Sequence, residues 1–255
     1  DGGVARVRLD RPDKRNGLDV PMFEALVEAG ERLAADATVR AVVLSGEGPA
    51  FCAGLDFKAV MTQPKVAQGL LLRPEGKVAN IAQQMCWTWR ELPVPVIAAI
   101  HGPCFGGGLQ LALGADMRFA TADAQLSVME IRLGMIPDMS ISKTLFSLVR
   151  PDIARELVYT GRIVSGDEAA ALGLVTRVVD DPVAEALDVA REIAGRSPKA
   201  IRSAKRLLNE APELGLREAF LLESELQIAL LGTAEQMEAA MAHLQKRPAT
   251  FSDPV

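Results

Sequence analysis

PVIAAIHGPCFGGGLQLALGADMRFA, residues 95–120, is the stretch on which the fold turns. Residues 95–100 form a short apolar run with the composition of a buried strand. The glycines at 106–108 open a short apolar helix, and a second strand is expected at about Asp116 to Thr121. Strand, helix and strand in that order mark an α/β unit. The same order occurs upstream. VARVRLD (4–10) alternates apolar and polar residues like a half-buried strand, and RPDKRNGLD (11–19) supplies turn chemistry. From Pro21 to about Ala35, Met22, Phe23, Leu26, Val27 and Leu33 recur at helical spacing. VRAVVLSG (39–46) then reads as a buried strand, and one long helical stretch from about Val66 to Glu91 leads back to residues 95–100.

Two loops carry chemical information. In GEGPAFCAGLDFK (46–58), Gly54 permits a sharp turn and close approach, so the amide just beyond it can donate to a ligand oxygen. A plain strand-to-helix connection fits that loop equally well. In GPCFGGGLQLAL (102–113), Gly106, Gly107 and Gly108 begin a helix, where amides lack intrahelical partners and the dipole is positive. Such an end stabilises an anion, either a phosphate or the oxygen of an enolate; close helix packing is the bland alternative. The loop lacks the Lys-Ser/Thr ending of a P-loop.

The rest of the chain bounds the possibilities. Its 255 residues are 49% hydrophobic and 24% charged, enough for a large core with an appendage. A net charge of -5 argues against a general nucleic-acid surface. No apolar run approaches the ~20 residues of a membrane span. Cys52, Cys86 and Cys104 form no CxxC pair, so neither a disulfide framework nor a metal site is expected, and a reducing, cytoplasmic setting is; an organelle matrix is the alternative, should a targeting segment precede Asp1. His101 and His243 are the only histidines. Neither suggests a Ser-His-Asp site, and His101 reads as structural. Trp87 and Trp89 cannot share a helix face, so one is expected to meet a loop or a neighbouring subunit. Beyond about Asp152 the pattern is mainly helical. SPKAIRSAKRLLNE (197–210), REAFLLESELQIALL (217–231) and TAEQMEAAMAHLQKR (233–247) are amphipathic helices whose apolar faces need cover. The expected division is a core at 1–195 and a helical region at 196–255 that docks on that core or on another subunit.

RPDKRNGLD, AFCAGLDF, PVIAAIHGPCFGGGLQLALGADMRFA and LSVMEIRLGMIPD, in that order, resemble the motif set of the enoyl-CoA hydratase/isomerase (crotonase) family. TGRIVSGDEAAALGLVTRVV and a tail ending QKRPATFSDP extend the resemblance over essentially the whole chain. It implies an α/β spiral of ββα repeats, a C-terminal helical region used in trimers or hexamers, and an acyl-CoA substrate between the two loops. Coenzyme A would enter as part of the substrate, with no permanently bound cofactor. The N–H groups of Leu55 and Gly107 would hold the thioester oxygen. Lys14, Arg15, Ala53, Asp56, Phe57 and Lys58 match the segments along the coenzyme A path, where the cations suit phosphates; a solvated surface is the competing reading for them.

Hydratases resembling this chain have two glutamates, and the matching positions here are Gln110 and Glu130. Gln110 follows Gly107 by three residues, so its side chain is expected to face the same pocket. It cannot serve as a general base, which leaves Glu130 as the principal acid/base. Asp138, in a turn marked by Gly134 and Pro137, resembles a third acid found in dienoyl-CoA isomerases, although those also keep a first acid where this chain has Gln110, or else it caps the helix after it. If both acids line one pocket, each raises the other's pKa. The expected activity is hydration or double-bond isomerisation of unsaturated acyl-CoA; thioester hydrolysis and non-catalytic acyl-CoA binding are the alternatives.

Overall fold

The structure is a computed structural model that describes residues 2–60 and 64–253. Strand β1 (Val4–Leu9) runs into a 3-10 turn, Pro12–Lys14, and then helix α1 (Val20–Ala35). Asp19 starts α1 by accepting from Met22 N at 3.1 Å, with Pro21 in the first turn. Strand β2 (Ala41–Gly46) is followed by α2 (Phe57–Val60), α3 (Pro64–Leu71), α4 (Ile81–Glu91) and β3 (Val96–Ile100). The long helix expected from Val66 to Glu91 is therefore two helices. The reason is local: Pro74 and Gly76, the latter at φ +74, interrupt the pattern, and Asn80 restarts it through a capping box with Gln83.

Strand β4 (Pro103–Phe105) and helix α5 (Gly107–Leu113) lead to β5 (Met117–Ala120) and β6 (Gln125–Ser127). After a 3-10 turn at Glu130–Leu133 come α6 (Ile141–Thr144), α7 (Pro151–Thr160), β7 (Val164–Ser165), α8 (Gly166–Leu172), β8 (Arg177–Val178) and α9 (Pro182–Ala194). The chain closes with α10 (Pro198–Glu210), α11 (Leu216–Leu230) and α12 (Ala234–Leu244).

Five strands form one parallel sheet in the order β1-β2-β3-β5-β8, and β4-β6-β7 form a second. Side chains alternate across the parallel sheet. Val4, Ala41, Val43, Ile97, Ala99 and Phe119 pack with Ala186, Ala190 and Ala194 of α9. On the other face, Val42, Leu44, Val96, Ala98 and Ile100 join Phe23, Met85, Trp89 and Leu109 in the main core. Burial on both faces explains why these strands read as continuous apolar runs. Trp89 lies fully inside, its indole N–H donating to Met85 O at 2.9 Å, while Trp87 is half-buried beneath the Arg90 guanidinium. The C-terminal helices are fastened to this core through α10. The Lys205 ammonium donates to Trp89 O, Val94 O and the Asp116 carboxylate at 3.1, 2.8 and 2.9 Å. Among the described residues no helix is long and apolar enough to cross a membrane.

Candidate active site

The two glycine-flanked loops are zipped together by backbone hydrogen bonds. Cys52 N donates to Pro103 O at 3.1 Å and its carbonyl accepts from Phe105 N at 3.0 Å. On the opposite side of the same segment, Ala53 N donates to Arg15 O at 2.9 Å, and Leu18 bridges Gly54 O and Asp56 N, both at 2.8 Å. Because Leu18 uses Gly54 and Asp56, the N–H of Leu55 between them faces away from Leu18, toward the side on which residues 103–107 lie. Gly54 makes the approach possible. It sits at φ +88, and a Cβ there would lie 2.6 Å from Phe105 O and 3.7 Å from Gly107 N.

Gly106 precedes α5 at φ +52, its own N–H donating to Ser127 O at 2.9 Å. Gly107 is then the first helical residue, so its N–H has no carbonyl one turn back to bond. Among the described residues, the N–H groups of Leu55 and Gly107 have no hydrogen-bond partner. Gly108 fits the packing reading: a Cβ there would lie 2.3 Å from Cys52 O.

Ser127 ends β6 beside Gly106, which carries Glu130 to the start of α5. A Cβ on Gly106 would lie 3.1 Å from Glu130 Oε1 and would crowd this carboxyl by a few tenths of an ångström, at a φ that itself favours glycine. Glu130 is buried, and its Oε2 has no hydrogen-bond partner among the described residues. Burial pushes its pKa up, a hydrogen bond from Gln110 pulls it back, and the nearby Asp138 charge adds to the rise. Asp138 is likewise raised by burial. It does not cap the next helix, since α6 begins after Ser140, which occupies the left-handed region at φ 68.

Leu55, Gly107, Glu130 and Asp138 all line one cavity of about 230 Å³, with Phe23, Val60, Ala67, Leu70, Ala82 and Met139 among its apolar walls. Gln110 does not line it. The side chain is fully buried: its Nε2 donates to Glu130 Oε1 at 2.6 Å and its Oε1 accepts from Met139 N at 2.8 Å. The Met139 N–H fixes which end of the amide is oxygen. Both ends are therefore engaged within the protein, and the expectation that Gln110 faces the pocket gives way to a position behind Glu130.

The residues expected along a coenzyme A path divide. Lys14, Arg15, Phe57 and Lys58 are exposed beside the first loop. Ala53 lends its backbone to the bond with Arg15. Asp56 is engaged locally: Oδ1 accepts from Ala59 N at 3.1 Å and Oδ2 pairs with Arg11 at 3.3 Å. Two residues that sequence reasoning passed over hold these loops. Arg11 also pairs with Asp19 at 3.1 Å, and the buried Asn16 donates to Glu47 O and Ala50 O at 2.9 and 2.8 Å. Their signal lay in the turn-forming Arg11–Asp19 stretch, which attracted notice only for Lys14 and Arg15.

His101 is structural, its Nε2–H donating to Gly48 O at 2.8 Å. Cys52, Cys86 and Cys104 are buried, and burial pushes the Cys52 thiol up to about 12. Such thiols are poor nucleophiles.

Fold and site together define an α/β protein built around an apolar cavity that carries two backbone donors unpaired among the described residues, one buried acid and one half-buried acid. The family model described as Enoyl-CoA hydratase/isomerase matches residues 1–254. Over 98% of this chain and 79% of the relative, the chain is 30% identical to the mitochondrial methylglutaconyl-CoA hydratase of Mus musculus. With the same two coverages it is 32% identical to the mitochondrial Delta(3,5)-Delta(2,4)-dienoyl-CoA isomerase of Pongo abelii. The crystal structure of an enoyl-CoA hydratase from Bacillus anthracis superposes with a TM-score of 0.89 at 29% identity, covering 99% of this chain and 96% of that one. The chain belongs to the enoyl-CoA hydratase/isomerase family.

Proposed function

We propose that the protein shifts a double bond within an unsaturated acyl-CoA thioester. The observation that carries this reading is the pairing of two carboxyls, the buried Glu130 and the half-buried Asp138, in one cavity wall while Gln110 is fully engaged behind them. The N–H groups of Leu55 and Gly107 hold the thioester oxygen and stabilise the enolate that forms when the α-carbon loses a proton. One carboxylate removes that proton and the other, as the acid, delivers a proton to the γ-carbon. Glu130 is the base, through its unpartnered Oε2. After each turnover the two carboxyls have exchanged protonation states, and proton transfer between them resets the site. Burial raises the proton affinity of both acids, and the Asp138 charge raises that of Glu130 further, which suits a division in which one stays ionised while the other keeps its proton.

Coenzyme A belongs to the substrate, and the exposed Lys14, Arg15 and Lys58 beside the first loop suit its phosphates. Hydration is the second reading, favoured by the free Glu130 Oε2, which can accept from a water, and by the named hydratases among the relatives. Spectrophotometry of 3-enoyl-CoA and 3,5-dienoyl-CoA separates the two: isomerisation builds conjugation and absorbance, whereas hydration of a 2-enoyl-CoA removes it. Absorbance loss with 2-enoyl-CoA and no change with either of the others would overturn isomerisation. The subunit contact is proposed as well. Leu216, Phe220, Leu221 and Ile228 of α11 and Leu244 of α12 are exposed, which supports self-association into trimers or pairs of trimers.

A further inference from the structure

The chemistry of the cavity wall narrows the acyl group, given the acyl-CoA reading above. Among the described residues the wall contains no lysine, arginine or histidine. Its only charged members among the described residues are Glu130 and Asp138, and the one other polar side chain is the neutral Gln68. The remainder is hydrocarbon from α2, α3, α4 and the loop before α6, as with Val60, Leu70 and Met139.

We infer that this site accepts acyl groups with a hydrocarbon end and rejects those that carry a second carboxylate. An anion placed in the cavity loses its hydration, finds no cation in the wall and meets two acids confined in the same apolar space. A hydrocarbon end loses nothing comparable and gains by leaving water. An apolar cavity of 150 Å³ holds a six-carbon ring, so about 230 Å³ suits an acyl group on the order of six to nine carbons.

Hexanoyl-CoA and adipoyl-CoA test this without turnover. Both are saturated, have the same chain length and differ in ending with a methyl or a carboxylate. Isothermal calorimetry at neutral pH is expected to give at least tenfold tighter binding of hexanoyl-CoA. Leu71, exposed at the rim of the cavity, offers a place for a cation that need not be buried. Leu71→Arg is expected to narrow the gap severalfold by strengthening adipoyl-CoA binding. Equal affinities for the wild-type protein, or an unchanged gap in a folded Leu71→Arg variant, would overturn the inference while leaving the acyl-CoA site in place. Failure of both thioesters to bind would instead remove the acyl-CoA reading itself.

Discussion

Replacing Gln110 with leucine removes the donor to Glu130 Oε1 and the acceptor for Met139 N, with little change in volume. The first loss bears on chemistry. A hydrogen bond to a charged group contributes about 1.5–3 kcal/mol, and Gln110 gives this one to the ionised form of Glu130, which it favours against burial. Without it the ionised form is disfavoured by a factor of about ten to a hundred. Activity that needs the carboxylate should fall by up to that factor at neutral pH and recover as the pH rises, with the ascending limb of kcat/KM displaced toward alkali. The second loss bears on stability: a buried Met139 N–H without a partner costs about 1–3 kcal/mol, read from urea unfolding. Gln110→Glu keeps an acceptor for Met139 and separates the two effects. It should retain most of the stability yet still displace the pH profile, because a third carboxyl now faces Glu130. A uniform loss of kcat/KM across the pH range in Gln110→Leu, with no displacement, would refute the assignment of Gln110 as the group that positions and tunes Glu130.

Glu130→Gln should lower isomerisation by roughly 10²–10⁴, measured by the same absorbance assay. It should also raise the thermal midpoint at neutral pH. Burial holds the Glu130 carboxyl above 4.5, so its contribution to stability is intact below that pH and is lost as pH rises through the folded value; the gain should vanish in acid. Gly54→Ala, which forces a Cβ to 2.6 Å from Phe105 O at φ +88, should cost about 1–3 kcal/mol and disturb both amide donors. Its kcat should drop by about 10²–10³ with proper folding confirmed by circular dichroism. Lys205→Met strips Asp116 and two carbonyls of a buried partner and should destabilise the protein by about 3–5 kcal/mol in urea titrations. Phe220→Glu should shift sedimentation toward the monomer, without change in far-ultraviolet circular dichroism.

Long elements with strong periodicity were legible before any coordinates. Helix α1 and strands β1, β2, β3 and β5 lie within two residues of their expected bounds, since each is long or apolar enough to declare itself. Strands β4, β6, β7 and β8 have two or three residues each and exist only through pairing with distant segments, so no local pattern marks them. The split of Val66–Glu91 was readable in Pro74, Gly76 and Asn80 but was overridden by the apolar spacing on either side. At the site, Gly54, Gly107 and Glu130 were visible as residue types in suggestive places. What remained hidden was directional. The spacing of Gln110 from Gly107 places it on the right turn of α5, yet the Met139 amide, 29 residues later, decides where its side chain is spent. Arg11 and Asn16 were hidden for the same reason, because their partners at Asp56 and Glu47–Phe51 are brought in by the fold.

The most direct measurement is a crystal structure with a saturated acyl-CoA bound. Its thioester oxygen is expected at about 2.9–3.0 Å from both Leu55 N and Gly107 N, with Glu130 Oε2 against the α-carbon and Asp138 on the way to the γ-carbon. A thioester oxygen that touches neither amide, or a reacting carbon out of reach of both carboxyls, would contradict the proposed chemistry.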